Sequence, residues 1–530
     1  MSALETSSQA LSLPGASKSK IEASAFSNTE RWLIIIAVMS ATIMQVLDTT
    51  IINVALPHMQ GSLGAAPDQI SWTLTSYLVA SAIFMPLTGY LSDKIGQKKY
   101  LLICIAGFTL VSSLCGAATS LTEIIVFRML QGIFGAGLVP LSQSIMGNVY
   151  SGKERNKGTA IWGMGVMIAP ILGPTLGGYL TDIASWRWTF YVNVPIGILA
   201  FFLAWQVVPD SDRKERRMDW IGLVLISLAI GATQYVLDRG SQVDWFSSDV
   251  ICVATVLAIG GLIGFLLHSL PPGKQMVFDI RIFADRNFTL SCLILLLLGT
   301  SLYGVTVLLP LLLENLLNYP VSTTGLVLAP RGIASLLSIV VVGRLAPRLG
   351  TAGIMILGIL FTAAGTWLST YYSVMISPGW ATSVSMVQGF GLGMVFYPII
   401  TVAFATLPTR MHTEAAGLFS LVRVLSGSIG ISMTMSLLTN YGQVSWNRLG
   451  GFINPYNPAL YQYLEHLGLK PTDAQGAALL SGELLTQTQM VAFINVFAVI
   501  ALTLLLILPL VLLLRGGKHA PLEGSATLLD

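Results

Sequence analysis

The chain has 530 residues, of which 54% are apolar and only 10% charged, and its formal net charge is +3. Soluble domains carry roughly 25% charged residues, and the mean hydropathy here is +0.74. A water-soluble enzyme, a disordered chain and a nucleic-acid-binding protein are thereby excluded, which leaves a polytopic membrane protein.

Residues 1–31 are polar and Ser/Ala-rich, with no apolar stretch before Trp32. They read as a disordered cytoplasmic tail and not as a cleavable signal peptide. A helix crossing a hydrocarbon layer of about 30 Å needs about 20 apolar residues. Segments meeting that length run at 32–56, 70–90, 100–119, 123–148, 158–181, 190–208, 220–238, 250–268, 288–310, 323–343, 353–373, 380–404, 414–439 and 487–514. Fourteen spans put both termini on one side. With the N-terminus in the cytoplasm, 21 of the 28 Lys and Arg fall on the inner side. Four (Arg187, Arg239, Arg448, Lys470) fall outside and three (Arg128, Arg331, Arg423) within spans, the asymmetry that the positive-inside rule demands. The loops are short except for the outer segment 441–486, with its turn-rich run Asn454-Pro-Tyr-Asn-Pro458. That segment is either a solvated connector or a docking surface. Residues 515–530 form a second cytoplasmic tail.

The loop after the second span reads Gly89-Tyr-Leu-Ser-Asp-Lys-Ile-Gly96, and the loop after the tenth reads Gly343-Arg-Leu-Ala-Pro-Arg-Leu-Gly350, 254 residues later. Two related halves with a substrate site between them are a common plan for secondary transporters. The expected layout is 6+2+6: an N-terminal six-helix bundle at 32–208, two linker spans with inner loops at 209–287, and a C-terminal six-helix bundle at 288–514 that includes the outer loop 441–486.

No nucleotide site powers it. Gly147-Asn-Val-Tyr-Ser-Gly-Lys-Glu154 has a phosphate-loop spacing, but Glu154 stands where Ser or Thr must hold Mg²⁺, and a membrane helix precedes it. An ion gradient is the remaining source, and it needs ionisable groups within the membrane. Such groups cost at least about 2.5–3.5 kcal/mol each to insert and are functional candidates by default. Asp48 lies in the first span at the edge of a polar stripe formed by Thr42, Gln45, Thr49 and Asn53. Arg128 lies in the fourth. Two readings of them stand: a proton-coupling site or a permanent structural ion pair. In the second half Arg423 is the main cavity candidate, while Glu314 is placed at the outer mouth.

The fifth span carries Gly165, Ala169, Gly173 and Gly177 at successive i+4 positions, with Pro170 and Pro174 between them. Small residues in that register admit a neighbouring helix at backbone distance, and the prolines bend the helix. Cys104, Cys115, Cys252 and Cys292 sit singly in apolar runs and read as packing residues. The five histidines are scattered. Neither set suggests a metal, a cofactor or an enzyme.

These residues resemble the major facilitator superfamily, in particular its fourteen-span drug:proton antiporters. The resemblance rests on Gly89–Lys99, on Arg128-Met-Leu-Gln131-Gly132, on the glycine–proline run 163–178, on Leu47–Pro57 and on Ser185–Pro195. Leu237–Ser248 and the long outer loop are similar to the EmrB-like multidrug efflux branch. The resemblance implies an all-α major facilitator fold and proton-driven export of hydrophobic compounds across a bacterial inner membrane, with no cofactor beyond the proton gradient. It also implies a periplasmic EmrA-like adaptor and an outer-membrane TolC-like channel, the loop 441–486 then being periplasmic. Asp48 and Arg128 are the expected proton-coupling residues. Gln45, Asn53, Gln131, Trp162, Met164, Met167, Met394, Phe396, Tyr397 and Arg423 are the expected cavity lining. Gly89, Asp93, Gly96, Lys98, Pro170, Gly173, Pro174 and Gly177 are the expected gating elements, Asp93 accepting hydrogen bonds from an adjoining helix start while Lys98 balances it. Phe134 and Pro347 depart from the family pattern. The competing reading is a dedicated exporter of one compound (a fatty acid, antibiotic or siderophore) on the same scaffold.

Overall fold

The computed structural model describes residues 27–514 except 66, 71, 151–154, 212, 214–217, 241–242, 271–278, 409–410, 455 and 466. Residues 1–26 and 515–530 of the two expected tails therefore lie outside the described residues. Regular structure among the described residues is entirely helical. The first half comprises α1 (Asn28–Leu63), α2 (Pro67–Ile70), α3 (Trp72–Phe84), α4 (Leu87–Ile95), α5 (Gln97–Ala117), α6 (Leu121–Gly135), α7 (Leu138–Val149), α8 (Arg155–Ile183), α9 (Trp188–Tyr191) and α10 (Asn193–Val207). Next come α11 (Trp220–Arg239) and α12 (Asp249–Ser269). The second half comprises α13 (Arg286–Pro310), α14 (Val321–Leu368), α15 (Pro378–Ala405), α16 (His412–Gly450), α17 (Pro458–Glu465), α18 (Ala474–Leu505) and α19 (Ile507–Leu512).

Eleven helical stretches, among them Leu121–Val149 (α6 with α7), Trp188–Val207 (α9 with α10) and Ala474–Leu512 (α18 with α19), are long and apolar enough to cross a membrane, or twelve if α3 and α4, bent by 59° at their junction, count as one span. The step from twelve to the fourteen expected has two sources. The two at 323–343 and 353–373 run together as α14, whose path breaks at Gly350 (φ 68°, ψ 170°). The one at 158–181 falls on α8, whose side chains are only partly described.

Helix ends also shift from expectation. α1 starts at Asn28 because Ser27 and Glu30 form a capping box, each side chain bonded to the other's backbone N–H at 3.2 and 2.8 Å. α16 continues to Gly450 and α18 begins at Ala474, so much of 441–486 is helical extension with α17 between.

Within the first half α1 packs on α8 and α10, α3 on α6, and α5 on α6 and α10. Within the second, α14 packs on α15, and α13 on α16 and α18. The α1–α8 contact is set by the small-residue ladder. A Cβ at Gly177 would stand 2.6 Å from the Ile51 carbonyl oxygen, and one at Gly173 3.1 Å from the Ile51 nitrogen. Phe134 fills the space that Gly107 leaves open on α5, which accounts for that departure in packing terms. Pro347 lies inside α14, three residues before its break.

The repeated loop motif ends in the same backbone device twice. Gly96 has φ 93° and Gly350 φ 68°, a region that side chains avoid, and each turns one helix into the next. Gly350→Ala is expected to lower stability by about 1–3 kcal/mol, read as a lower unfolding temperature of the solubilised protein. Gly482→Ala, helical and with nothing within 4 Å of the added carbon, is the matched control and should leave the unfolding temperature unchanged or slightly raised.

Candidate functional site

Asp48 faces inward from α1 and is 1% exposed; Arg128 on α6 is 0% exposed. Arg128 Nη1 donates to Asp48 Oδ2 at 2.5 Å, joining helices 80 residues apart in sequence. One turn further along α6, Gln131 accepts from Arg128 Nη1 through Oε1 at 2.8 Å and donates from Nε2 to Asp48 Oδ1 at 3.1 Å. Asn193, the first residue of α10, donates to the same Oδ1 at 3.0 Å and to Ser112 Oγ on α5 at 3.1 Å. Arg128 Nε donates to the Thr73 carbonyl on α3 at 3.1 Å. The guanidinium lies 4.2 Å from the Tyr77 ring centroid and 5.8 Å from that of Phe190, both within cation–π range. Gly132 permits this layering: a Cβ there would meet Ala80 Cβ at 3.1 Å, so α3 approaches α6 closely enough to lay Tyr77 on the arginine.

The arrangement is chemically selective. An ionised carboxylate is a pure acceptor, and both oxygens of Asp48 already accept from donors. A proton on either oxygen would set donor against donor, so the hydrogen-bond pattern is complementary to a carboxylate that accepts through both oxygens. Removing one member instead strands a buried charge, at a cost of about 3–5 kcal/mol.

The structure thus brings Asp48 and Arg128 together, and it moves Gln131 from the expected cavity lining into their hydrogen-bond shell. Gln45 is 2% exposed and donates to the Tyr77 hydroxyl at 3.0 Å, one layer from the ion pair. Arg423 of α16, in the second half, is 7% exposed, and its main-chain carbonyl accepts from Ser426 Oγ at 2.7 Å. Other expected lining residues are packed elsewhere. Met394 and Tyr397 share an apolar cluster with Val342, Ala346 and Ile354, and Phe396 belongs to the main core. Met394 and Tyr397 thus pack on residues of α14 in this conformation. Trp162 is 3% exposed, with its indole N–H unpaired. The side chains of Asn53, Met164, Met167, Pro170 and Pro174 lie outside the described residues, although their backbones run in α1 and α8.

The gating candidates divide similarly. Gly89 on α4 lies against α16, where a Cβ would stand 2.6 Å from Glu414 Cγ and 3.3 Å from its Cα. Gly417 on α16 answers it: a Cβ there would stand 3.0 Å from the Met85 carbonyl oxygen. Gln97 and Ser144 both bond Thr413 of α16, at 3.2 and 2.8 Å. The halves are therefore fastened at the end that carries the first loop motif. Gly96 is the turn itself, with the following N–H of Gln97 donating to Ser211 Oγ at 2.7 Å. Asp93 is half-buried and interacts with its surroundings; Lys98 is half-buried on the first turn of α5. A separate cavity of about 640 Å³ lies among Asn315, Met435, Gln443, Trp446 and Phe493, next to the π-helical turn Leu311–Leu316 that contains Glu314. Among the described residues the cysteines are free and no metal-binding cluster occurs.

Sequence reasoning missed Tyr77, Ser112 and Asn193. Asn193 carried a signal, being a polar residue at the start of an apolar span inside the quoted Ser185–Pro195 run. Tyr77 and Ser112 carried none.

The Major Facilitator Superfamily profile matches residues 38–431. Over 447 residues the chain is 37% identical to the multidrug export protein EmrB of Escherichia coli (strain K12), covering 83% of this chain and 87% of that protein. It is 34% identical over 486 residues to the fatty acid resistance protein FarB of Neisseria gonorrhoeae, covering 91% of this chain and 95% of that one. Among solved structures, the human organic anion transporter MFSD10 (TETRAN) superposes with a TM-score of 0.58 at 15% identity, covering 91% of this chain and 99% of that one, a likeness of fold.

Proposed function

The chain belongs to the Major Facilitator Superfamily, and from that premise we propose that it is a proton-coupled efflux transporter of the EmrB type. It exports hydrophobic or amphipathic toxic compounds across a bacterial inner membrane. The observation that carries this reading is the buried Asp48–Arg128 pair, whose hydrogen-bond shell is complementary to a carboxylate that accepts through both oxygens. Proton arrival at Asp48 releases Arg128, α6 moves relative to α1 and α3, and the contacts of α16 with Gly89 and Thr413 part at the cytoplasmic end. Counting the bent α3–α4 pair as one span, adding α8 and dividing α14 at Gly350 gives fourteen spans in a 6+2+6 layout with both termini in the cytoplasm. The helical extensions across 441–486 then project into the periplasm, where an EmrA-like adaptor leading to a TolC-like channel docks.

The test is substrate movement in proteoliposomes with an imposed pH difference. Accumulation of toxic compounds of unrelated structure is expected with the gradient present. Accumulation that persists after the pH difference is collapsed, with the voltage held at zero, refutes proton coupling. The likeness to FarB, which covers nearly the whole chain, favours one second reading, a dedicated fatty acid exporter. Accumulation of long-chain fatty acids and of nothing else in the same panel would establish it.

A further inference from the structure

Helix α11 and the turn after it touch both halves of the molecule at one level. Toward the first half, Thr75 of α3 donates to the carboxylate of Asp238. Trp72 packs on Tyr235 with ring centroids 5.9 Å apart and lies 4.5 Å from the guanidinium of Arg239. Toward the second half, Gln234 donates to Ser428 of α16, and Trp245 Nε1 donates to Ser436 Oγ at 3.2 Å. The same turn of α3 holds the ion pair, because the Thr73 carbonyl accepts from Arg128 Nε at 3.1 Å. Two residues of one short helix thus join the Asp48–Arg128 pair to a second carboxylate on a linker helix.

We propose that Asp238 is a second protonatable group of the coupling path, a positioning residue that acts on Arg128 through Thr75, α3 and the Thr73 carbonyl. This rests on the proton-coupling reading of Asp48. When ionised, Asp238 accepts the Thr75 hydroxyl and faces the neighbouring charge of Arg239. When protonated, it loses its attraction for Arg239, and a proton on Oδ2 turns the Thr75 contact round so that Asp238 donates, so α3 is held differently. The surrounding groups leave this switch to Asp238. Its own helix adds Arg239 and Tyr235, and α3 presents Trp72 and Thr75, with Tyr77 beyond them. α16 presents Ser428 and Ser436, with Arg423 further along toward Tyr77, and α12 begins at the exposed Asp249. The last turns of α11 are then a strap across both halves, while Trp220, Ile221 and Val224 at its start stay exposed.

Infrared difference spectroscopy of the purified, full-length protein tests this by following the carbonyl band of protonated carboxylic acids as pH is varied. Asp238→Asn is expected to remove one band and to move the midpoint of the Asp48 band by about half a pH unit or more, as interacting sites do. Thr75→Val, which keeps the carboxylate, should move the Asp48 midpoint as well, and serves if Asp238→Asn does not fold. An Asp238→Asn protein that loses no band, or a Thr75→Val protein that keeps the natural Asp48 midpoint, overturns the inference. Asp48→Asn separates the two levels: if it removes no band, the parent reading fails, whereas if only Asp238 is silent, this inference fails alone.

Discussion

Asp48→Asn is expected to abolish gradient-driven export and to lower stability by about 3–5 kcal/mol. The amide is nearly the same shape, so the helices can still meet, but Arg128 remains at 0% exposure without its counter-charge. The amide NH₂ also faces the donors of Gln131 and Asn193 across bonds that were 3.1 and 3.0 Å long. Arg128→Gln alone should be similarly damaging, for the converse reason. The double variant Asp48→Asn/Arg128→Gln removes both charges together and is expected to recover most of the stability, since replacing a buried pair is far cheaper than breaking it. It should recover no transport. That split separates the two readings of the pair, because a purely structural ion pair predicts that export returns with stability. Thermal unfolding in detergent gives the first quantity and substrate-dependent proton release from vesicles the second. Gradient-driven export by the double variant at the natural rate would remove Asp48 from the mechanism.

The second large effect is expected at Gly177. The Ile51 carbonyl oxygen lies 2.6 Å from where a Cβ would stand, and the Ile51 Cγ1 lies 2.9 Å from it. A carbonyl inside a helix cannot swing aside as a side-chain end can, so Gly177→Val must push α8 away from α1. Overpacking of this kind costs about 1–3 kcal/mol. Ile51 is one turn from Asp48 on the same face of α1, and a shift there moves the carboxylate against Arg128 and Asn193. A loss of transport of at least about tenfold is therefore expected, since about 1.4 kcal/mol of misplacement already accounts for that factor. Gly163→Ala on the same helix, with nothing within 4 Å, should transport normally. Equal behaviour of the two variants would mean that the α1–α8 approach does not set the site.

How much of this was readable in advance depends on how local each feature is. Spans announce themselves through runs of apolar residues, and the Gly89–Gly96 and Gly343–Gly350 motifs announced two matching turns, which Gly96 and Gly350 make with positive φ. The i+4 ladder in α8 announced a close contact without naming α1 as the partner. Asp48 and Arg128 stood out because charge is scarce in apolar sequence. Met394, Phe396 and Tyr397 are buried on α15, a helix apolar almost all round, where no periodicity tells a core face from a cavity face. Gln131 was assigned to the cavity because its one-turn spacing from Arg128 fixes a face and not a partner.

Composition and hydropathy by themselves determined that this protein lives in a bilayer, is built of helices and carries a rare acid and base within it, because the cost of burying charge and backbone is levied residue by residue. Only the tertiary structure decided that Asn193, 145 residues from Asp48, completes its hydrogen-bond shell, that Tyr77 covers Arg128, and that Asp238 on a linker helix reaches α3. Those are meetings between helices distant in the chain, settled by which faces pack at backbone distance, and no local pattern encodes them.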